Sequence, residues 1–295
     1  MKSGFVALVG RPNAGKSTLL NKFVGQKVAI VSDKPQTTRH RIVGVRNSAA
    51  GQMIFIDTPG IHKPMHRMNR RMVDVALDAL KEVDVIVLVN DVTEPIGKGD
   101  QFVQDLLRGA GRPTILALNK VDRIRKPLLL PLMERHARSG VFKAIVPVAA
   151  FYGEGLDGLE REILDALPEG PALYPDDYLT DQSERTLAAE LIREKVLMHT
   201  RDELPYTTAV VIDQFEEATP ERAVTRIFAS ILVDQESQKP IVVGKGGEMI
   251  KRIGTEARQD LEKMLDSKVY LDLHVKVRAD WRDDDRLLDE MLGKR

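Results

Sequence analysis

The octapeptide Gly10-Arg11-Pro12-Asn13-Ala14-Gly15-Lys16-Ser17 constrains this chain more than any other stretch. It has the form G-x-x-x-x-G-K-[ST], in which glycines let successive backbone N–H groups close round a polyphosphate while a lysine and a hydroxyl meet its charge and its magnesium. The flanks fit. Residues 5–9 (Phe-Val-Ala-Leu-Val) are an apolar run of strand length, and residues 18–24 read as a helix whose positive end faces the loop. Strand, loop and helix in that order predict a nucleoside-triphosphate site, with residues 10–17 and Thr18 around the phosphates.

The first half supplies the other parts of such a site. Residues 32–41, Ser-Asp-Lys-Pro-Gln-Thr-Thr-Arg-His-Arg, have the composition of an exposed loop. In nucleotide switches this interval holds a threonine that binds magnesium and senses the third phosphate. Thr38 is the candidate, with Thr37 the alternative. Residues 52–60 form an apolar strand that ends in Asp57-Thr58-Pro59-Gly60. An acid at that strand end reaches the magnesium through water, and a glycine N–H there faces the third phosphate. The expected metal set is therefore Ser17, Thr38 and Asp57, and the groups acting on the transferring phosphate are Lys16, Thr38 and Gly60.

Two more apolar runs, residues 85–90 and 114–119, are separated by a polar segment of helix length. The second ends in Asn119-Lys120-Val121-Asp122, whose carboxylate can accept guanine's N1–H and exocyclic amine together, a pattern adenine lacks. GTP is expected rather than ATP. Residues 143–150 are one more strand, and at its end, Ala149-Ala150, a backbone N–H can meet the guanine oxygen. Residues 155–167 close this half as an amphipathic helix with Leu156, Leu159, Ile163 and Leu167 on one face. Alternating strands and helices predict an α/β unit in three layers, its sheet mostly parallel and its ligand at the carboxyl ends of the strands.

At 295 residues the chain exceeds one ordinary core and fits two domains. A hydrophobic share of 43% beside 30% charged residues is that of a folded globular protein, and the absence of cysteine removes disulfides and thiolate metal sites. Met1 to Gly4 lead straight into the first strand, and no apolar run approaches the length of a membrane span; the expectation is a cytosolic protein. Residues 1–170 carry 25 Lys+Arg against 18 Asp+Glu and residues 171–295 carry 19 against 26, so the halves stand near +7 and −7. Nucleic-acid contact in the acidic half must then rest on a local site.

The motif spellings, Gly-Arg-Pro-Asn-x-Gly-Lys-Ser and Pro-Gln-Thr-Thr-Arg-His-Arg above all, resemble the Era family of ribosome-assembly GTPases, and the similarity runs through nearly the whole chain. One departure stands out: such GTPases usually read Ser-Ala where this chain has Ala149-Ala150, so a serine hydroxyl is lost while the backbone contact remains available. The resemblance also implies a class with a hydrophobic residue, here Ile61, where Ras-like enzymes orient water with glutamine. It implies slow intrinsic hydrolysis, with Asn13 either a potassium ligand supplying charge in place of an arginine finger or a structural residue whose side chain caps the turn. The basic residues that follow (His62, Lys63, His66, Arg67, Arg70 and Arg71) read either as an RNA-touching or domain-touching segment or as a solvated helix face.

Three prolines between residues 168 and 175 mark an extended connector. Beyond it, residues 183–199 read as a helix, residues 207–215 and 225–233 as strands, and residues 268–277 as a strand with Val269, Leu271, Leu273, Val275 and Val277 alternating against polar neighbours. This is an α+β layout with its sheet covered on one side. Ile241-Val242-Val243 reads as a short apolar strand leading into Gly244-Lys245-Gly246-Gly247, with Lys251 and Arg252 one turn on. A G-x-x-G loop opening a helix brings backbone amides to a sugar-phosphate chain, which is how KH domains clamp about four nucleotides of single-stranded RNA. Met249, Ile250 and Ile253 are then groove or core. His199 and His274 lack partners at metal-ligand spacing, Trp281 reads as a hydrophobic plug or as a ring that stacks on a base, and residues 282–292, with Leu287, Leu288, Met291 and Leu292, read as an acidic amphipathic tail.

The organisation expected is a GTPase domain over residues 1–168, a linker over 169–182, a type II KH domain over 183–280 and a helical tail over 281–295. The function expected is a GTP-hydrolysing switch, using Mg²⁺ and potassium, that holds the single-stranded 3′ end of small-subunit ribosomal RNA and assists 30S assembly. No obligate protein partner is evident, and the resemblance implies loose peripheral membrane association in some members. A membrane-associated signalling GTPase without RNA, and an RNA-binding protein with a degenerate nucleotide site, are the other classes compatible with parts of the chain.

Overall fold

The computed structural model describes residues 1–34, 37–60, 67–95, 97–201, 204–284 and 287–288. The chain forms two compact units, one of Met1–Ala29 with Thr38–Asp181 and the other of Ile30–Thr37 with Gln182–Arg295.

In the first unit, β1 (Lys2–Val9) is the central strand, and residues 6–9 are fully buried, as an apolar run with both faces covered requires. It is followed by α1 (Lys16–Val24), β2 (Ile42–Ser48), β3 (Gly51–Asp57), α2 (Arg67–Glu82), β4 (Val85–Asp91), α3 (Lys98–Ala110), β5 (Thr114–Asn119), α4 (Leu129–Ala137), β6 (Ala144–Pro147) and α5 (Leu156–Ala166). The sheet order is β2-β3-β1-β4-β5-β6, parallel except for β2. Strand side chains alternate between two cores. Val6, Leu8, Phe55 and Val87 pack with Leu19, Leu20 and Phe23 of α1 and Leu159 and Ile163 of α5. Ala7, Val9, Ile56 and Leu116 pack with α2, α3 and α4 through Ala76, Leu107 and Leu132. Each fully buried leucine contributes about 1.5–3 kcal/mol of transfer free energy. The result holds the strand ends, and the loops leaving them, in fixed positions.

Strand β2 was not legible as a strand: Ile-Val-Gly-Val-Arg-Asn-Ser is fixed by antiparallel pairing with β3 across the turn at Ala49 and Ala50, not by its own pattern. The proline-rich segment after residue 167 is extended but not free. The Gln52 side chain accepts from Leu173 N at 2.7 Å and donates to Tyr174 O at 2.8 Å, and Thr180 Oγ1 donates to Val43 O at 2.6 Å.

The second unit runs α6 (Glu184–His199), α7 (Leu204–Thr207), β7 (Ala209–Glu216), β8 (Val224–Val233), α8 (Lys239–Val243), α9 (Glu248–Leu265) and β9 (Lys268–Val277). Ser183 caps α6 by accepting from Thr186 N at 3.1 Å. The sheet is β7-β8-β9, antiparallel then parallel, with α6 and α9 on the face to which Val269, Leu271, Leu273, Val275 and Val277 point. Ile241, Val242 and Val243 lie in the helical turn α8 and not in a strand: Pro240 starts that turn and Gly244, at φ 75°, ends it. Ile253 belongs to the core, with Met249 and Ile250 packed partly against it. Trp281 is fully buried and donates its indole N–H to Thr207 O at 2.9 Å, so it packs. His274 is exposed, 3.4 Å from Asp272. Leu287 and Leu288 are buried, while Met291 and Leu292 lie outside the described residues.

Candidate functional site

The phosphate loop is shaped by left-handed backbone at Gly15 (φ 99°) and Asn13 (φ 62°). At Gly15 even a methyl group is excluded, because an added Cβ would lie 2.2 Å from Asn119 Nδ2. Gly15 is the N-cap of α1 and no side chain caps that helix, so the N–H groups of its first turn, including those of Ser17 and Thr18, are donors for an anion. Gly60 lies against the same loop: a Cβ there would come within 2.7 Å of Pro12 N. Thr58 Oγ1 donates to Leu8 O at 2.9 Å, tying the Asp57–Pro59 turn to β1. Arg11, at the exposed rim, stands 3.6 Å from Asp100.

Inside the loop, Lys16 Nζ donates to the carbonyls of Gly10 and Arg11 at 3.3 and 3.0 Å. Burial lowers its pKa, against the opposing pull of Asp57. Ser17 Oγ, Thr38 Oγ1 and Asp57 converge, with Ser17 2.8 Å from Thr38 and donating to Asp57 Oδ2 at 2.6 Å. Asp57 is fully buried; burial raises its pKa, and Lys16, Ser17, Thr38 and His40 oppose that. Its other oxygen, Oδ1, is buried with no hydrogen-bond partner. Two hydroxyls gathered at Oδ2 of a carboxylate whose Oδ1 is unsatisfied fit a magnesium ion that would take its remaining ligands from phosphate and water. Contrary to the expectation of an exposed loop, Thr38, Arg39 and His40 are all buried; Thr38 Oγ1 lies 3.4 Å from Asp57 Oδ2, and the charge of His40 also acts on that carboxylate. Thr37 instead donates its hydroxyl to Lys34 O at 2.6 Å.

At the guanine end Asn119 joins the loops, donating from Nδ2 to Ala14 O at 2.8 Å and accepting at Oδ1 from Ala150 N at 3.0 Å. Ala149 N donates to Glu154 O, so both amides of Ala149-Ala150 have partners within the protein. Lys120, held at φ 65°, donates to Asn13 O at 2.9 Å and to Asp91. Val121 N donates to Val148 O at 3.3 Å, and the Asp122 carboxylate stands 4.0 Å from Arg123 at the rim. Asp91, at the end of β4, escapes sequence reasoning because an acid closing an apolar strand has no distinctive spacing. Burial alone would raise its carboxyl, but hydrogen bonds from Lys120 and Thr93 overcome that and hold it below the usual value.

In the second unit, Gly244, Gly246 (φ 61°) and Gly247 (φ 82°) all take positive φ. A Cβ on Gly244 would strike Met249, whereas Gly246 has open space above it, so backbone is approachable there. Gly247 caps α9 without a side chain, and Lys245, Lys251 and Arg252 are exposed beside it. Exposed Ile241 adds apolar surface on α8. The same unit holds Ile30–Thr37 through two consecutive residues of α6. Glu194 Oε1 accepts from Val31 N at 2.9 Å, and Arg193 donates to Thr37 O and, at 2.6 Å, to Glu190. Both are 1% exposed, although three charges in a row on a helix gave the sequence no sign of burial. Lys195 completes the set at 2.6 Å from Asp260 on α9, and His199 lies 2.7 Å from Glu256. Ile61, His62, Lys63 and His66 lie outside the described residues, as does the side chain of Arg67.

No group of three or more His, Asp or Glu side chains at metal-binding distance occurs among the described residues, and none of their helices is long and apolar enough to cross a membrane. A family model described as 50S ribosome-binding GTPase matches residues 5–120, and one described as KH domain matches residues 203–282. The chain is 48% identical to GTPase Era of Geobacter metallireducens, covering 98% of this chain and 97% of that one, and 44% identical to GTPase Era of Alkaliphilus metalliredigens, covering 98% of each. Among solved structures it is similar to a variant of Aquifex aeolicus Era bound to GDP and AlF4⁻, with 43% identity, TM-score 0.94 and 99% of each chain covered. It is equally similar, at 43% identity, TM-score 0.95 and 99% of each chain, to Era in complex with MgGDPNP and nucleotides 1506–1542 of 16S ribosomal RNA. With a guanine-nucleotide motif set in one unit, a G-x-x-G loop in the other and this likeness along its whole length, the chain belongs to the Era family of GTPases.

Proposed function

We propose that this protein is a GTP-hydrolysing switch that grips the single-stranded 3′ region of small-subunit ribosomal RNA and assists 30S assembly. The observation that supports it most is the 43% identity, over 99% of each chain, to Era in complex with both MgGDPNP and 16S nucleotides 1506–1542. Residues 10–18, 57–60, 119–122 and Ala149-Ala150 form the nucleotide site, in which Ser17 and Thr38 would hold magnesium directly and Asp57 through water. Lys245, Lys251, Arg252 and the 244–247 backbone hold the RNA.

Within this reading no side chain acts as nucleophile or general base. Bound magnesium supplies positive charge to the phosphate oxygens. Lys16 and the N–H groups at the start of α1 stabilise the charge that develops on the transferring phosphate, and Gly60 N–H together with Thr38 distinguishes three phosphates from two. Hydrolysis is slow without a partner, since Ile61 offers no group to orient water, and Asn13 recruits potassium in place of an arginine finger. The regulatory part rests on the loop before Thr38. Its carbonyl at Thr37 and amide at Val31 are held by α6, which pairs with α9, the helix that the RNA loop opens. Ordering of Thr38 by GTP then biases the RNA-binding unit, and the protein works in the cytoplasm, with loose association at the membrane face.

The test is GTP turnover by the full chain in potassium and in sodium, with and without a single-stranded RNA of the 16S 3′ sequence. Turnover faster in potassium and raised by RNA, with the RNA effect abolished in Gly246→Asp, supports the reading. GTP hydrolysis indifferent to both salt and RNA contradicts it.

A further inference from the structure

A second surface, on the nucleotide-binding unit, has chemistry that the assigned sites do not use. From Lys120 to Lys143 the chain carries seven Lys and Arg against two acids. Arg125, Lys126, Arg135 and Arg138 are exposed, and none has an ion-pair partner among the described residues. By contrast, Lys81 on α2 pairs with Asp78 at 2.9 Å and Arg108 on α3 with Asp105 at 2.7 Å. Beneath them, His136 sits on the inner face of α4, its pKa lowered first by burial and then by the charge of Arg135.

The same edge concentrates apolar exposure. Of the ten exposed large hydrophobic side chains among the described residues, four lie here: Leu128 and Leu130, 53% and 64% exposed, and Phe151 and Tyr152, 73% and 63% exposed. The two aromatics stand edge to face with ring centroids 5.1 Å apart, directly after the buried Ala149-Ala150. The segments that bear them leave the carboxyl ends of β5 and β6, the last two strands of the sheet, and are joined by the Val121–Val148 hydrogen bond. Prolines at 127 and 131 fix the backbone on either side of Leu128 and Leu130.

We propose that the exposed side of residues 125–138, α4 with the turns at its two ends, and the 149–153 turn form an RNA-contacting surface, which takes an RNA segment other than the one at the 244–247 loop. Unpaired Arg and Lys neutralise phosphates, and exposed aromatic rings offer planes on which unpaired bases stack. An anionic membrane is a poorer match, because the apolar stripe of α4, Leu129, Leu132 and Met133, is turned into the core and its outer face beyond residue 131 is polar. The inference rests on the reading of this protein as an RNA binder but not on the KH loop as the site.

The test uses the full chain in three forms: unaltered, Gly246→Asp, and Arg125→Glu/Lys126→Glu/Arg135→Glu/Arg138→Glu, each also combined with the other. Binding of a labelled single-stranded RNA of about 16 nucleotides is followed across salt concentrations. Four charge reversals at exposed positions are expected to leave the thermal midpoint and GDP affinity in place and to weaken RNA binding about tenfold or more. They are also expected to lower the slope of log affinity against log salt by about 0.7 for each phosphate that is no longer neutralised. Phe151→Ala/Tyr152→Ala should weaken RNA about tenfold and remove crosslinks to the 149–153 turn. An unchanged affinity and salt slope in the charge-reversed protein overturns the inference while leaving the KH site standing. So does a loss confined to vesicles of phosphatidylglycerol and phosphatidylethanolamine, which would assign the face to lipid. No RNA binding by the unaltered protein overturns the functional reading itself.

Discussion

Thr38 Oγ1 lies 2.8 Å from Ser17 Oγ, and Ser17 in turn donates to Asp57 Oδ2 at 2.6 Å. Three residues up to 40 positions apart in sequence thus present oxygen atoms to one point. Thr38→Ala should weaken a non-hydrolysable GTP analogue about tenfold while changing GDP affinity little, since on the proposed reading that hydroxyl serves the triphosphate state. Thr37→Ala should do neither, because the Thr37 hydroxyl is bonded to Lys34 O. Titration calorimetry with both nucleotides separates the two threonines.

Gly15 and Gly25 both take positive φ, 99° and 80°, yet only the first has a neighbour in the way. Gly25→Ala should cost about 1–2 kcal/mol of stability from backbone strain alone and leave nucleotide binding intact. Gly15→Ala must also displace Asn119, which holds the phosphate loop and Ala150 together. A loss of GDP affinity of about a hundredfold is expected, far beyond any change in thermal midpoint.

Asp91 gives a pH signature. Hydrogen bonds from Lys120 and Thr93 hold its carboxyl below the usual value despite burial. A depressed folded-state pKa means that its stabilisation is fully present above the unfolded carboxylate value of about 3.9 and is lost as pH falls through the lower folded one. Asp91→Asn should therefore be less stable than the unaltered protein by a constant amount between neutral pH and about pH 5, and the difference should shrink below about pH 4. Urea titrations across that range measure it.

Arg193 is the group through which α6 holds the Thr37 carbonyl. Replacing it with Met removes a buried charge that also serves Glu190, so a destabilisation of about 3 kcal/mol is expected. The telling readout is different: the ratio of RNA affinities with GTP analogue and with GDP should fall toward one, while affinity in GDP stays near that of the unaltered protein. A ratio that is unchanged at a temperature where the variant is folded would remove Arg193 from the switch.

The fold and family were legible because the motifs that mark them are local: eight residues spell the phosphate-loop pattern, four the Asn119–Asp122 pattern, and apolar runs such as residues 5–9 suit covered strands. The G-x-x-G loop was readable for the same reason, although Ile241-Val242-Val243 before it turned out helical, since three apolar residues suit either element and Pro240 decided in favour of a turn. What the sequence hid is what long-range packing creates. Strand β2 exists through pairing with β3, and Thr38, in a polar loop, is buried because its hydroxyl meets Ser17 and Asp57. Arg193, Glu194 and Lys195 are buried because a loop 156 residues earlier in the chain, and Asp260 on α9, supply their partners.

The central claim is that occupancy of the nucleotide site changes the grip of the 244–247 loop on RNA. Fluorescence anisotropy of a labelled RNA bearing the 16S 3′ sequence, titrated with the full chain bound to a non-hydrolysable GTP analogue, to GDP or to no nucleotide, measures it directly. Affinity at least about fivefold higher with the GTP analogue than with GDP is predicted, a coupling of about 1 kcal/mol. Equal affinity in all three states would contradict the account.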